Sequence, residues 1–387
     1  MSAKVDQTQE AAPEAEVAAE AERPSRRRSF ALSLLRLVIA LVVPVVAFAV
    51  LWWTFDFLRD ADANRFLVMA VAIAVGVGGV FFLFWGMNQT VDRLPAHYRE
   101  GVRPYVFVGP ALVVLSVFLV YPLINTIVLS FRDARGEGFV GWDNFSFVFN
   151  DASMLRAIRN TAVWIIFVPL VATSIGLAFA TLADRLRRGE AVAKSLIFMP
   201  MAISFVGAAV TWQFIYSFRP EGFGGNIGLL NGIMEGLGRQ PVAWLQQQPW
   251  NNLYLMVIMV WLQTGFAMVV LSAAIKAIPD EIIEAARIDG ASELQVFRRI
   301  TVPTILPTIV VVTTYMVINA LKVFDIVFVI GSPEINETEV IAERMINWFF
   351  LGSNDGRGAA IAVILFLAVI PIMIWNIRRF REQEAIR

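Results

Sequence analysis

The sequence predicts an all-α membrane protein, a polytopic bundle of eight transmembrane helices. Three observations predict it. The chain is 58% hydrophobic and 17% charged, whereas a soluble domain is about 45–50% apolar and about 25% charged. Its apolar residues gather into eight long runs, each able to cross about 30 Å of hydrocarbon as a helix rising about 1.5 Å per residue. The runs lack the strict alternation over about ten residues that marks a barrel strand.

Residues 1–28 are a different material. They are rich in Ala and Glu, lack aromatic residues and end in Arg23, Arg26, Arg27 and Arg28. Such a stretch cannot bury enough apolar surface to offset its ordering entropy, so 1–29 is expected to be a disordered cytoplasmic tail. Acidic residues precede the arginines, which argues against a cleavable leader. The apolar runs follow at 30–57, 66–87, 105–131, 161–183, 195–218, 253–275, 302–330 and 359–377. The first two form an accessory pair within 30–100, and the other six form a core over 101–387. With the N-terminus inside, the cytoplasmic segments hold 20 Lys and Arg residues and the outer segments 10. That bias places both termini in the cytoplasm.

Other classes are excluded by composition. Lys+Arg 32 balances Asp+Glu 32, giving no sign of a nucleic-acid partner. With no cysteine there are no disulfides, thiolate metal sites or cysteine nucleophiles. His97 is the single histidine, which argues against a histidine metal centre or a Ser-His-Asp triad. No GKS or GKT occurs, so a Walker A phosphate loop is absent.

The segment between the sixth and seventh runs reads KAIPDEIIEAARIDGASELQVFRRIT. Pro279 starts a short helix, with Asp280 and Glu281 favourable in its first turn. Ile282, Ile283, Ala286 and Ile288 give that helix an apolar side, and Gly290 permits a tight C-terminal turn. Ser292 caps a second short helix reaching Ile300, with Leu294, Val296 and Phe297 on it. On the residues alone this knob is either an interfacial loop or a docking element.

Glu284-Ala285-Ala286, three residues, Gly290, nine residues, Ile300, one residue, then Val302-Pro303 resembles the EAA loop. That loop marks the membrane subunits of binding-protein-dependent ABC importers, whose pattern usually has Leu-Pro where this chain has Val302-Pro303. The run from Trp261 to Ala291 resembles the sugar-type branch. So do Gly141 to Phe145 (GWDNF) with Asn160-Thr161, and Phe324-Asp325 with Gly331 to Pro333 and Thr338. The two extra spans and the run from Leu321 to Val327 resemble the larger permease of maltose and α-glucoside systems.

The resemblance implies a multi-pass subunit of the bacterial cytoplasmic (inner) membrane, embedded in lipid. It implies a second permease as heterodimer partner, two ATPase subunits and an extracytoplasmic sugar-binding protein. ATP and Mg would be bound by the ATPases, and this chain would hold no cofactor of its own and catalyse nothing. It implies that Glu284 makes an ion pair with an ATPase, that Asp289 and Gly290 shape the turn, and that Leu294 and Phe297 fill the ATPase cleft.

Sugar recognition needs amide and hydroxyl partners and an aromatic face. Three polar clusters offer both. Tyr315, Asn319 and Lys322 share one face of the seventh run at i, i+4 and i+7. Gln213 lies beside Trp212, Tyr216 and Ser217 on the fifth, and Trp261, Gln263 and Thr264 cluster on the sixth. They line a solute path or, alternatively, glue helices together or sit in the interfacial belt. Lys322 and Asp325, the charged residues of the seventh run, can pair along one helix or sit near the outer end of a tilted one. Competing readings are an importer permease for glycerol-phosphate or polyamine, or an ion-coupled secondary transporter, which would leave the EAA pattern unexplained.

Overall fold

The computed structural model describes residues 49–50, 52–59, 64–92, 96–186, 188–220, 227–331 and 336–384. The expected disordered tail and most of the first apolar run lie outside them. The chain divides into two compact units, residues 1–122 and 123–387.

In the first unit, residues 52–59 are helical, α1 spans Arg65–Asp92 and α2 spans Ala96–Leu115. Phe84 of α1 stacks on Phe107 of α2 at 6.1 Å. Phe66, Val77 and Phe81 face outward, as suits helices surrounded by lipid rather than water. The chain continues through a widened turn, Ser116–Val120, into α3 (Tyr121–Leu129).

The second unit continues with α4 (Asp143–Asn150), α5 (Ala152–Ala183), α6 (Glu190–Phe198), α7 (Phe205–Ile215) and α8 (Leu229–Gly236). Then come α9 (Trp250–Lys276), α10 (Asp280–Ile288), α11 (Glu293–Val296), α12 (Val302–Leu321), α13 (Asp325–Ile330), α14 (Ile341–Ile346) and α15 (Asp355–Glu384). Its core is built on α5, α9 and α12, where Trp164, Met256, Met268, Leu271 and Met316 are buried. In its most apolar stretch α9 is 72% buried, against 33% for α5, so α9 is the central post. The Gly141–Phe145 segment fixes the entry: Asn144 Nδ2 donates to Ser130 O and Arg132 O.

Asp151 caps α5, accepting the N–H groups of Ser153 and Met154. Burial pushes its carboxyl up, but the Ser153 side-chain bond and these two N–H bonds outweigh that and hold it below the usual range. A carboxylate held low stabilises above its unfolded pKa and loses that contribution as pH falls through the folded one. Asp151→Ala should therefore cost about 1 kcal/mol at neutral pH. The gap in apparent melting temperature from the wild type should shrink as the carboxyl protonates.

Among the described residues, six helices are long and apolar enough to cross a membrane, or seven if one bent pair forms a single span. Two of the eight runs differ from the continuous spans expected. The fifth breaks: Pro200 lies in a 3-10 turn, Met199–Ala202, and Ser204 starts a new helix by accepting Gly207 N–H at 3.1 Å. The two halves meet at 100°. A proline that cannot donate and a serine that caps together end one helix and begin the next, which hydropathy alone does not register.

The seventh run stops at Leu321, with Lys322 as its C-cap, and restarts at Asp325. Lys322 and Asp325 are therefore not neighbours on one helix, and they form no ion pair with each other among the described residues. The second short helix after Gly290 is also not separate. From Glu293 the chain runs through a widened turn, Phe297–Thr301, directly into α12. That turn, where Val302 N–H reaches Phe297 O, absorbs the donor missing at Pro303.

Candidate functional site

Two sites lie along α9, one at its C-terminal end and one at mid-length. The first is the knob around α10. Arg287 O accepts Gly290 N–H at 3.1 Å and Ala286 O accepts Ala291 N–H at 3.0 Å. This is a Schellman closure, and it requires the left-handed φ of +82° at Gly290. Two residues later Ser292 and Gln295 form a capping box, which satisfies the first donors of the next helix. The knob is thus closed by local hydrogen bonds at both sides of its turn.

Its faces are divided. Ile283 packs toward the core and Ala286 is half-buried. Ile282, Ile288 and Leu294 point out, 48%, 86% and 63% exposed. Glu284, Ala285 and Asp289 are also exposed, and Phe297 and Ile300 are half-buried. Glu284 has no ion-pair partner among the described residues.

Ion pairs tie the knob to the bent pair. Lys194 Nζ of α6 donates to Asp184 Oδ1, to Ser272 Oγ and, at 2.6 Å, to Glu190 Oε1. Ser272 Oγ of α9 donates to Asp184 Oδ1 at 2.7 Å, and Lys276 also reaches Glu190. Glu293 takes Arg287 at 2.9 Å and Arg185 at 3.2 Å. The Glu293 pairs are half exposed and contribute little each. Lys194 and Asp184 are only 19% and 12% exposed, so their pairing matters more. Lys194→Met should cost between the ~1 kcal/mol of an exposed pair and the ~3–5 kcal/mol of a buried one. Adding Asp184→Asn should recover part of the loss, which thermal unfolding of both variants and the double variant measures.

The second site is a cavity of about 210 Å³ at the bend, lined by Met201, Ile203, Ser204, Phe205, Leu262, Gln263 and Tyr315. Beside it α6 rests directly on the α9 backbone at Gly265, where a Cβ would lie 2.5 Å from Ile197 O and 2.7 Å from Phe198 Cα. Gln263 is 3% exposed and has no side-chain hydrogen bond among the described residues. Tyr315 packs against Phe266 with ring centroids 4.6 Å apart.

Gln263 and Tyr315, far apart in sequence, thus meet in one cavity, and Asn319 Nδ2 donates to Tyr315 O one turn on. Trp212, Tyr216 and Trp261 form a separate aromatic group, with Trp212 centroids 5.2 and 5.7 Å from the other two. Tyr216 is buried and its hydroxyl donates to Tyr254 O, whereas Trp212 Nε1 is buried with no partner among the described residues. Gln213 and Lys322 are exposed and line neither site. Sequence reasoning missed Ser204 and Phe205 in the cavity and the Asp184–Glu190–Lys194–Ser272 network. The Pro200…Ser204 spacing was the one available signal for the former.

Comparison with known proteins shows the family and the fold. The family model described as "Binding-protein-dependent transport system inner membrane component" matches residues 172–378, covering the bent pair, the knob and the cavity. The osmoprotective compounds uptake permease protein GgtC of Synechocystis is 53% identical over 73% of this chain and 100% of its own. The alpha-glucoside transport system permease protein AglF of Rhizobium meliloti is 46% identical over 82% of this chain and 98% of its own. A chain of the crystallised bacterial ABC transporter involved in the import of the acidic polysaccharide alginate shares the fold. Its TM-score is 0.64 at 23% identity, over 74% of this chain and 97% of that one.

Proposed function

Because the chain belongs to the family of binding-protein-dependent transport system inner membrane components, we propose that it is the permease subunit of an ATP-driven importer for an oligosaccharide or α-glucoside such as maltose or trehalose. The observation that carries this reading is the knob. Ile282, Ile288 and Leu294 stand exposed around a glutamate that has no ion-pair partner among the described residues, a face suited to a covering partner. The alpha-glucoside named for the AglF relative supports the sugar-type solute.

In this reading the knob faces the cytoplasm, with both termini on that side and run 30–57 completing eight spans. It is the EAA loop, and α10 docks into an ATPase subunit. ATP and Mg are held by that subunit, and this chain is a non-catalytic partner. Glu284 pairs with a cation of the ATPase, Leu294 and Phe297 fill its cleft with the exposed Ile288 beside them, and the turn at Asp289–Gly290 sets the angle. ATPase closure moves α10. Lys276, Glu190 and Lys194 carry that motion to α6, and the bend at Ser204 opens or closes the cavity. This is a local docking event biasing a two-state element.

The cavity is smaller than the about 300–1,000 Å³ of a typical ligand site, so a second permease supplies the rest of the path. Gln263, Tyr315 and Asn319 offer hydrogen bonds, and Trp212 and Trp261 offer indole groups. A sugar-binding protein delivers the solute from outside.

The test of the solute class is competition. Proteoliposomes carrying the whole complex and its binding protein take up radiolabelled maltose. Unlabelled trehalose or sucrose should suppress that uptake, while glycerol 3-phosphate and putrescine should not. Uptake of glycerol 3-phosphate or putrescine in place of every sugar would overturn the reading.

A further inference from the structure

A larger cleft, about 650 Å³, opens between α5 and the start of α9. It lies at the opposite end of α9 from the knob. Trp250, in its lining, precedes Gln263 by 13 residues, about 20 Å along a helix.

Its wall is held rigidly. Asn160, 3% exposed, donates its Nδ2 to Glu337 O and Glu339 O, both at 2.9 Å. Asn251, 2% exposed, donates to Asn336 O at 2.5 Å. Thr161 Oγ accepts Ile341 N–H at 3.0 Å, and Arg156 pairs with the buried Glu339 at 3.0 Å. These bonds hold Glu337 at φ +56°, a left-handed conformation that costs a residue with a side chain about 1–3 kcal/mol. Strain of this kind persists where the surroundings over-determine it, and here it sets Glu337 in the cleft lining.

The groups left available are a defined set. Among the described residues Glu337 and Gln248 make no side-chain hydrogen bond or ion pair. Asn252 Oδ1 accepts Trp164 Nε1 at 2.8 Å, leaving its two amide protons. Arg159 uses one N–H on Asn160 at 3.3 Å. Trp250 is 58% exposed. A carboxylate accepts hydroxyl protons, amide and guanidinium groups donate to hydroxyl oxygens, and an indole covers an apolar ring face. Arg159 and Glu337 balance in charge, so the cleft suits a neutral polyol over an anion or a cation. Its volume falls within the range of ligand sites, unlike that of the central cavity.

We propose that this cleft is a second, outer carbohydrate subsite, which holds the sugar before it passes to the central cavity. The proposal rests on the sugar-importer reading above.

The chain has no cysteine, so Gln248→Cys introduces its single thiol at the cleft. Val163→Cys does the same from α5, and Gln240→Cys, exposed and outside the lining, is the control. In right-side-out vesicles carrying the whole complex, loaded with ATP and supplied with the sugar-binding protein in both arms, a membrane-impermeant maleimide is added with and without maltose. Sugar at tenfold over its Kd leaves about one-tenth of the sites free, so labelling of both cleft variants should slow about tenfold and the control should not change. Glu337→Gln should raise the maltose concentration needed for half-protection.

Equal labelling with and without sugar, in vesicles that still take up maltose, would overturn the subsite alone. So would labelling of the isolated chain but not of the complex, since another subunit then covers the cleft. Failure of unmodified vesicles to take up any sugar would remove the importer reading and the subsite with it.

Discussion

Replacing Glu284 with alanine should leave the complex in the membrane and its ATPase active while uptake falls by at least tenfold. The glutamate is exposed and has no ion-pair partner among the described residues, so its loss costs the isolated chain almost nothing. Its effect appears only when a partner covers it. Truncating one member of a desolvated interfacial pair costs about 2–5 kcal/mol, or roughly 30-fold to several-thousand-fold in docking. Gly290→Val acts on the same link through the backbone. At φ +82° a β-branched residue is a steric outlier, and the closure onto Ala286 O and Arg287 O would open. ATP hydrolysis and uptake measured on the same preparations check both. Uptake equal to wild type in both variants would contradict the coupling role.

The second large effect is expected at Gln263. Its side chain is 3% exposed, lines the cavity and makes no hydrogen bond among the described residues, and a polar group left so costs about 1–3 kcal/mol unless something in the cavity satisfies it. A structure keeps such a group where a ligand satisfies it. Gln263→Leu keeps the volume and removes the amide, so the complex should assemble with unchanged or raised thermal stability. The sugar concentration for half-maximal uptake should rise about tenfold, as one or two neutral hydrogen bonds of about 0.5–1.5 kcal/mol each are lost. A variant with unchanged uptake kinetics would place the solute elsewhere. Gly265→Ala, which touches no solute, should impair uptake differently, by lifting α6 off α9 and lowering the maximal rate.

The knob was legible in the sequence because its determinants are local. Pro279, Gly290 and Ser292 each act within four residues, and the spacing shows them directly. The helical class was legible for a similar reason, since apolar length reports a span without reference to other segments. The break at Ser204 and the stop at Leu321 were less visible, because both stretches stay apolar through the break.

Long-range partners were not visible at all. Asn160 binds Glu339 O 179 residues away, and Lys194 binds Ser272 78 residues away. No periodicity links such pairs, so the latch beside the knob and the rigid wall of the outer cleft emerged only from the fold. The same limit explains the path residues. Helical spacing placed Tyr315, Asn319 and Lys322 on one face, but only the fold showed that the helix ends before Lys322 and that Gln263 faces Tyr315.

Passage of a sugar through this chain should occur only when ATP energy arrives through the knob. This is tested by following radiolabelled maltose into proteoliposomes that hold the whole complex. Uptake should require both internal-face ATP and the sugar-binding protein, and it should persist when proton and sodium gradients are collapsed. Uptake driven by an ion gradient without ATP or binding protein would contradict the account.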